Sequence, residues 1–317
     1  MKKTLKFLLT AFVAVIAAGC KEDEGPVDYP ITGNLNISGR YVTYLHGYQG
    51  WVEEDQIGVF VTSDGIEQAN LLYEPSEICP ATPNEYVEGY YSYEEENYKD
   101  GDILLNPVGG GASAGFKQGE HCVYAYTPYA EGNTTYSAVR LPSLASQEYI
   151  PYDGMKYFKR EYNFAYARLS APVSEYTSAT LSLGDFTSAF VQMTIPSPTF
   201  PDALEGKTVT KLVVSADKDI ATSDAVINLA TGEISGTMSK SIELDFGDGL
   251  VLASGFFGLT METLYIVMCI DFDEALETTF SFTYTIDGQD YTITGTPSAT
   301  SSDGNLNMYG ALSFPEE

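Results

Sequence analysis

The sequence is poor in the residues on which many enzymes and nucleic-acid-binding proteins depend. Its 317 residues include two His (His46 and His121), one Trp (Trp51) and 16 Lys or Arg, against 44 Asp or Glu. Scarce histidine argues against a zinc enzyme and against His-based catalysis, although it excludes neither. The formal charge of −28 argues against nucleic-acid binding, because phosphates repel an acidic surface.

Catalytic and metal-binding motifs are also missing. The sequence contains no G-x-S-x-G elbow, no H-E-x-x-H helix and no P-loop. Carboxylate pairs are inevitable among 44 acids, and two sets offer oxygen ligands for calcium: Asp217, Asp219 and Asp224, or Asp245 and Asp248. Their spacing does not match an EF-hand, and solvated turns explain them better. We therefore predict no catalytic residues, no metal site and no cofactor.

The N-terminus has the pattern of a lipoprotein precursor. Three lysines precede an apolar run of 12 residues, 7–18, which is shorter than the ~20 residues that a membrane-spanning helix needs. The run ends in Ala17-Ala18-Gly19-Cys20, which resembles a bacterial lipobox. We expect residues 1–19 to be a signal peptide and Cys20 to carry lipid, rather than the cysteine being incidental in a soluble secreted protein.

A short acidic segment follows the cysteine. Residues 20–30 contain Glu22, Asp23 and Glu24, then Gly25 and two prolines, which suits a flexible tether. The acids resemble the export tag of Bacteroidetes lipoproteins displayed on the outer face of the outer membrane; an ordinary solvated tether is the alternative. The 16 basic residues include three lysines in residues 1–19, so the remainder has 13 basic and 44 acidic residues and a charge of −31.

Three further cysteines remain. Cys269 lies in the apolar run 265–270, which predicts a buried strand and a free core thiol. Cys79 and Cys122 could form a disulfide in an exported protein, but sequence does not give their distance, and both pairing and free thiols stay open.

Alternating apolar residues between turn residues predict an all-β chain of antiparallel strands. The length suggests two domains, 31–170 and 171–317, with long loops in the first. Strands at 180–183 and 189–195 have the pattern of a hairpin, and Asp287-Gly288 predicts a second, tight hairpin turn. The segment 86–102 carries five Tyr and six acids; it could be a sugar-stacking platform, although Tyr on sheet surfaces is the commoner explanation.

Three segments resemble the fimbrillin family of Bacteroidetes surface lipoproteins, which form donor-strand pili. They are Trp51–Phe60 (WVEEDQIGVF), Val123–Tyr129 (VYAYTPY), and Leu141-Pro142 with Gln147 downstream. They occur in the family's order, before the predicted domain boundary. The C-terminal half matches less well, since the family's His between its first two strands is absent and the end of the chain departs from the usual pattern.

This resemblance implies two tandem transthyretin-like β-sandwich domains that assemble by strand exchange with other pilin subunits. In the family, a protease removes the lipidated segment with one strand, and a strand of the next subunit takes its place. Cleavage between Arg40 and Tyr41 is the candidate here, an ordinary exposed Arg being the alternative. The C-terminal segment Asn305–Phe314 is the candidate donor strand.

The predicted function is therefore a cell-surface pilus subunit, stalk or tip, that serves adhesion to a host or bacterial surface receptor or glycan. The alternative is a surface glycan-binding lipoprotein of a polysaccharide-uptake system, which would have the same lipid anchor and would use the Tyr-rich loops. A hydrolase ranks last, because only scattered carboxylates support it.

Overall fold

The computed structural model describes residues 33–41, 51, 55–63, 66–77, 85–87, 90–92, 103–110, 114–116, 121–149, 160–162, 164–169, 178–183, 190–195, 198–255, 258–261, 264–297 and 305–307. Strands make up nearly all the regular structure in these ranges, so the predicted all-β class is confirmed. The arrangement as two tandem sandwiches stays a prediction. No helix in the described ranges has the length and apolar character to cross a membrane.

Up to residue 183, the described ranges contain thirteen strands and two short 3-10 turns, Val108–Gly110 and Arg160–Tyr162. The strands are β1 (Gly33–Asn34), β2 (Asn36–Tyr41), β3 (Ile57–Ser63), β4 (Ile66–Pro75), β5 (Glu85–Val87), β6 (Tyr90–Ser92), β7 (Ile103–Pro107), β8 (Gly115–Phe116), β9 (His121–Thr127), β10 (Val139–Arg140), β11 (Ser146–Glu148), β12 (Ala165–Arg168) and β13 (Ser178–Leu183).

From residue 190 onward, the described ranges contain eleven strands, a 3-10 turn at Asp202–Leu204 and the short helix α1 (Phe272–Leu276). The strands are β14 (Phe190–Ile195), β15 (Thr208–Ala216), β16 (Ala221–Ile227), β17 (Ile234–Ser239), β18 (Ser241–Val251), β19 (Ala253–Gly255), β20 (Gly258–Thr260), β21 (Leu264–Cys269), β22 (Phe280–Ile286), β23 (Gln289–Gly295) and β24 (Asn305–Asn307).

A seven-stranded sheet in the order β12-β9-β3-β4-β7-β2-β13 surrounds one hydrophobic core, here called the N-terminal core. Along each strand the side chains alternate between the two faces of the sheet. Every second side chain therefore points into the core, as Ile57, Val59 and Val61 of β3 do. The two end strands, β12 and β13, lie close to each other without a hydrogen-bonded ladder. The sheet therefore curls around the N-terminal core.

A second core, here called the C-terminal core, lies among the sheets β11-β18-β15-β22-β23, β10-β16-β17 and β21-β14-β24. The sequence of β22 explains why this strand packs against the C-terminal core. Every second residue is large and apolar and is buried (Phe280, Phe282, Tyr284 and Ile286), whereas the intervening Ser and Thr are half-buried. Burying each large apolar side chain stabilises the fold by about 1.5–3 kcal/mol.

Strand β9 connects the two cores because both of its faces are covered. Val123 and Ala125 point into the N-terminal core, and Tyr124 and Tyr126 belong to the C-terminal core. On the neighbouring strand β3, Phe60 likewise joins the C-terminal core. This burial on both faces explains why the sequence of β9 is a nearly continuous apolar run. Such a run lacks the alternation that identifies a half-buried strand, so its sequence alone does not distinguish it from other buried segments.

Of the two predicted hairpins, one is confirmed and the other is wrong. Ile286 and Gln289 pair across Asp287 (φ 48°) and Gly288 (φ 80°), whose positive φ angles suit a type I′ turn. By contrast, β13 and β14 do not pair with each other: β13 pairs with β2, and β14 pairs with β21 and β24. Local alternation predicted both strands correctly but could not identify their partners.

Strands also cross the predicted domain boundary at residues 170 and 171. β13 lies after it yet joins the seven-stranded sheet, whereas β10 and β11 lie before it and pair with β16 and β18 of the second half. The division into domains 31–170 and 171–317 stays a prediction, and the strands on its two sides are interleaved.

Candidate functional site

The candidate site is the place that β2 occupies in the seven-stranded sheet. β2 lies between β7, with which it is antiparallel, and β13, with which it is parallel. Ile37 faces Leu105 on one side and Ala179 on the other. A strand near the N-terminus is thus inserted between two strands that come much later in the chain.

The inner face of β2 is fully buried. Ile37 is 0% exposed, and Leu35, the residue just before β2, is 3% exposed; both belong to the N-terminal core. The outer face is polar: Asn36 is exposed, and the Ser38 hydroxyl shares a hydrogen bond of 3.0 Å with that of Thr180. If β2 left, it would therefore expose an apolar groove between two open strand edges.

Gly39 of β2 packs tightly between leucines of the two neighbouring strands. A Cβ atom there would lie 3.3 Å from the Cδ1 atoms of both Leu105 and Leu183. The indole N–H of Trp51 donates a hydrogen bond of 3.3 Å to the Gly39 carbonyl, and Trp51 is itself buried. The single Trp, known from the sequence only as part of a motif, thus holds the end of β2.

The cleavage candidates Arg40 and Tyr41 form the last two residues of β2. They pair with Ser182 and Leu183 on β13, whereas the described ladder to β7 ends at Gly39. Among the described residues, the strand partner of Arg40 is Ser182 on β13. Their side chains lie outside what the structure describes, as do Cys20 and residues 42–50.

The first two motifs meet where β3 pairs with β9. At Gly58 the ring of Tyr126 lies against the backbone so closely that an added Cβ would overlap it. The Tyr126 hydroxyl donates to Asn70 Oδ1 at 2.7 Å and accepts from Asn133 Nδ2 at 2.9 Å. Burial raises the pKa of Tyr126, so the hydroxyl stays a neutral donor. These contacts fix the chain after β9, where the Thr127–Pro128 peptide bond is cis.

Gln147 acts as a substitute strand partner. Its side-chain amide donates to the Val267 carbonyl at 2.7 Å and accepts from the Val267 N–H at 3.1 Å, with Gln147 only 2% exposed. Gln68 makes the same pair of bonds to Gly115, at 2.6 and 3.0 Å. Each glutamine satisfies both backbone groups of one residue at a strand edge.

The candidate donor strand is described at residues 305–307, which form β24. β24 runs parallel to β14, with Leu306 opposite Met193. The rest of the candidate, residues 308–314, lies outside the described ranges. The donor role is not decided by this pairing and stays a prediction.

The structure also describes two of the cysteines and the acidic residues considered for calcium. Cys269 is buried and free, as predicted, and burial raises its pKa to about 12. Cys122 is half-buried, and Cys79 lies outside the described residues, so their pairing stays a prediction. Among the described residues no group of three or more His, Cys, Asp or Glu is arranged to hold a metal ion.

The Tyr-rich segment is described only at β5 and β6, which pair as a small antiparallel ladder between Tyr86 and Tyr91. Nothing of their side chains is described. The glycan-platform hypothesis therefore gains no support from geometry.

No family model matches the sequence, and no curated protein matches it. Several solved structures are similar. One is a candidate cell adhesion protein from Bacteroides uniformis, with a TM-score of 0.44 and 14% identity over 83% of this chain and 84% of that one. Another is a candidate cell adhesion protein from Bacteroides fragilis, with a TM-score of 0.36 and 12% identity over 86% and 91%.

A fimbrial protein from Bacteroides vulgatus is also similar, with a TM-score of 0.34 and 13% identity over 86% of this chain and 92% of that one. These descriptions agree with the fimbrillin-like family that the sequence motifs resemble. All three TM-scores lie below 0.5, so the function of this chain has to be argued from its own residues.

Proposed function

We propose that this chain is a subunit of a surface pilus, stalk or tip, that assembles by strand exchange and serves adhesion. The observation that supports this most is the position of β2: an early strand fills a groove between β7 and β13, and Arg40 is its next-to-last residue. Cutting after Arg40 would free the lipidated segment and β2 together. The groove could then take a strand from a neighbouring subunit, which is β-augmentation.

In this proposal the lipid on Cys20 holds the precursor to the outer membrane until cleavage. The acidic segment 20–30 would serve as the tether that follows the lipidated cysteine in the sequence. The buried Leu35 and Ile37 explain why a vacant groove would not persist in water, since each would leave an apolar site to fill. Its edges would also present the unpaired backbone groups of two strands.

The test is the intact mass and N-terminal sequence of the protein taken from the native cell surface. We expect a species that begins at Tyr41, and ladders of polymer that survive mild detergent. Arg40→Gln should abolish both, whereas Arg140→Gln, at an exposed site on β10, should abolish neither. An acylated Cys20 with no Tyr41 species would exclude the stalk role and leave an anchor, an uncleaved tip or a glycan binder.

A further inference from the structure

The two strands that flank β2 are not held equally in the seven-stranded sheet. Within the described ranges β7 pairs with β4 as well as with β2, whereas the ladder partner of β13 is β2. β13 lies close to β12 on its other side, but no ladder joins these two strands in the same ranges. Loss of β2 would therefore leave β7 in the sheet and would take from β13 the ladder that joins it to the sheet.

We propose that, once β2 has left, β13 moves across the vacant position and pairs reversibly with β7. The cut chain would then close its own groove, and an incoming strand would have to displace β13 from β7. This inference rests on the proposed function, since β2 leaves the folded chain only after the cut at Arg40.

β7 and β13 already have the relative direction and register that this pairing needs. β7 is antiparallel to β2 and β13 is parallel to it, so β7 and β13 are antiparallel to each other. The partners of Ser38 are Leu104 on β7 and Thr180 on β13. A sideways shift of β13 by one strand spacing, about 4.8 Å, would bring Thr180 opposite Leu104 without a change of register.

The backbone groups of both strands also point toward the vacant position. The Leu104 carbonyl accepts a hydrogen bond of 2.9 Å from the Ser76 N–H, on the side of β7 where β4 lies. Successive residues of a strand direct their backbone groups to opposite sides, so those of Ile103 point toward β2. On β13, the Leu181 carbonyl oxygen lies 3.5 Å from where a Cβ atom on Gly39 would be. Since both residues pair with Gly39, the shift would make Ile103 and Leu181 a hydrogen-bonded pair.

The inward side chains of the two strands would stay in the same core after the shift. Those that belong to the N-terminal core are Ile103, Leu105, Leu181 and Leu183. A Cβ atom on Gly39 would lie 3.3 Å from the Cδ1 atoms of both Leu105 and Leu183, so these two atoms are no more than twice that distance apart across β2. Closing the groove would therefore bring together apolar side chains that are already close, and would cover surface that the loss of β2 exposes.

Nothing in the sequences of β7 and β13 opposes their pairing. Exposed strand edges are commonly protected by charged residues or by proline. β7 (ILLNP) has no charge and has its proline at the last position, and β13 (SATLSL) has neither. Two such edges would invite pairing with other chains, and closure would give each edge a partner within its own chain.

A disulfide across the closed groove tests the inference. The variant carries Leu104→Cys and Thr180→Cys, both at exposed sites. With β2 in place, the Cα atoms of these residues are two strand spacings apart, about 9–10 Å, which is too far for a disulfide. In the closed groove they would be directly opposite, about 4.5 Å apart, which is within range.

The folded full chain is cut after Arg40, freed of its N-terminal segment and oxidised, and the linked peptides are identified by mass. We expect at least about tenfold more of the disulfide between positions 104 and 180 in the cut chain than in the uncut chain. Equal yields in the two would overturn the inference. A yield in the cut chain no higher than in the same chain unfolded in urea would also overturn it.

Leu104→Cys with Ser38→Cys is the matched control, because these two residues are directly opposite in the uncut chain. Their disulfide should form without cutting, which shows that the cysteine at position 104 reacts and that the sheet has formed.

The cut is made in vitro, so this result does not depend on processing in the cell. If the disulfide between positions 104 and 180 forms but native chains never begin at Tyr41, closure stands and the proposed function is wrong. If native chains begin at Tyr41 and form ladders but the cut variant does not form the disulfide, the proposed function stands and closure is wrong.

Discussion

Gly58→Ala tests the packing that joins the two cores. Gly58 on β3 is directly opposite Tyr126 on β9, and an added methyl group would overlap the Tyr126 ring and come within 2.8 Å of Asn70 Oδ1. The ring has little room to move, because it is 0% exposed and stacks on Phe60 and Phe164 at centroid distances of 6.0 Å. We therefore expect the substitution to displace the Tyr126 hydroxyl from its hydrogen bonds.

The magnitude follows from three contributions. Overpacking a filled core costs about 1–3 kcal/mol. Weakening the bonds of the Tyr126 hydroxyl to Asn70 and Asn133 costs about 1 kcal/mol each. Alanine regains about 0.5–1 kcal/mol over glycine within a strand. The net expectation is a loss of about 2–4 kcal/mol in the free energy of unfolding.

Urea denaturation measures this loss, followed by circular dichroism and by the fluorescence of Trp51, the single Trp of the chain. Coincident transitions would justify a two-state treatment. Gly132→Ala is the matched control, since a Cβ at Gly132 meets no atom within 4 Å, and it should change stability by less than about 0.5 kcal/mol. A loss at Gly58 no larger than that of the control would refute the packing argument.

Two further predictions concern buried groups of the C-terminal core. Gln147→Leu keeps the side-chain volume but leaves both backbone groups of Val267 without this partner. Urea denaturation should therefore show a loss of about 2–4 kcal/mol in the free energy of unfolding. An equal loss in Gln68→Leu, at a half-buried site, would contradict the role of burial. Burial raises the pKa of Cys269 from 9.0 to about 12. The contribution of the neutral thiol to folding stability is therefore present below pH 9 and is lost as the pH rises toward 12, because the unfolded chain loses the proton first. From pH 8 to 10 the wild-type protein should lose about 1.4 kcal/mol more stability than Cys269→Ala, and parallel pH curves would exclude this contribution.

The sequence predicted the strands well because their residues carry the information. β22 alternates apolar and hydroxyl side chains, and Asp287-Gly288 supplies the positive φ angles of its turn. The same reasoning failed between β13 and β14, where six undescribed residues, 184–189, separate strands of different sheets. Strand pairing over long separations depends on how whole faces pack, and no local pattern records it.

The candidate site was predictable in part. Trp51, Gly58 and Gln147 lie in the motifs that resemble one family. Nothing in their spacing shows that Trp51 contacts Gly39, or that Gly58 makes room for a tyrosine ring. Arg40 is the cleavage candidate that the family resemblance implies. The structure adds that this strand lies inside a sheet, between β7 and β13, which sequence could not show.

The location of β2 also bears on whether a chain without it would stay folded. The buried side chains of Leu35 and Ile37 belong to the N-terminal core, and none of the described side chains of residues 35–39 is part of the C-terminal core. Losing Leu35 and Ile37 would remove about 3–6 kcal/mol of apolar burial from the N-terminal core alone. β9 and β3 would still be held on their other face by Tyr126 and Phe60. In the proposed assembly, the chain would thus keep a folded scaffold around an open groove.

The same geometry sets the order of events in that assembly. While β2 is covalently attached, it competes for the groove at an effective concentration in the millimolar range, which a neighbouring strand in solution does not match. An incoming strand with similar side chains gains little in contacts over β2, so binding alone would not displace it. Cutting after Arg40 removes the advantage of attachment, because β2 can then diffuse away. Cleavage would therefore precede exchange, and an uncut Arg40→Gln chain should remain monomeric even at high concentration.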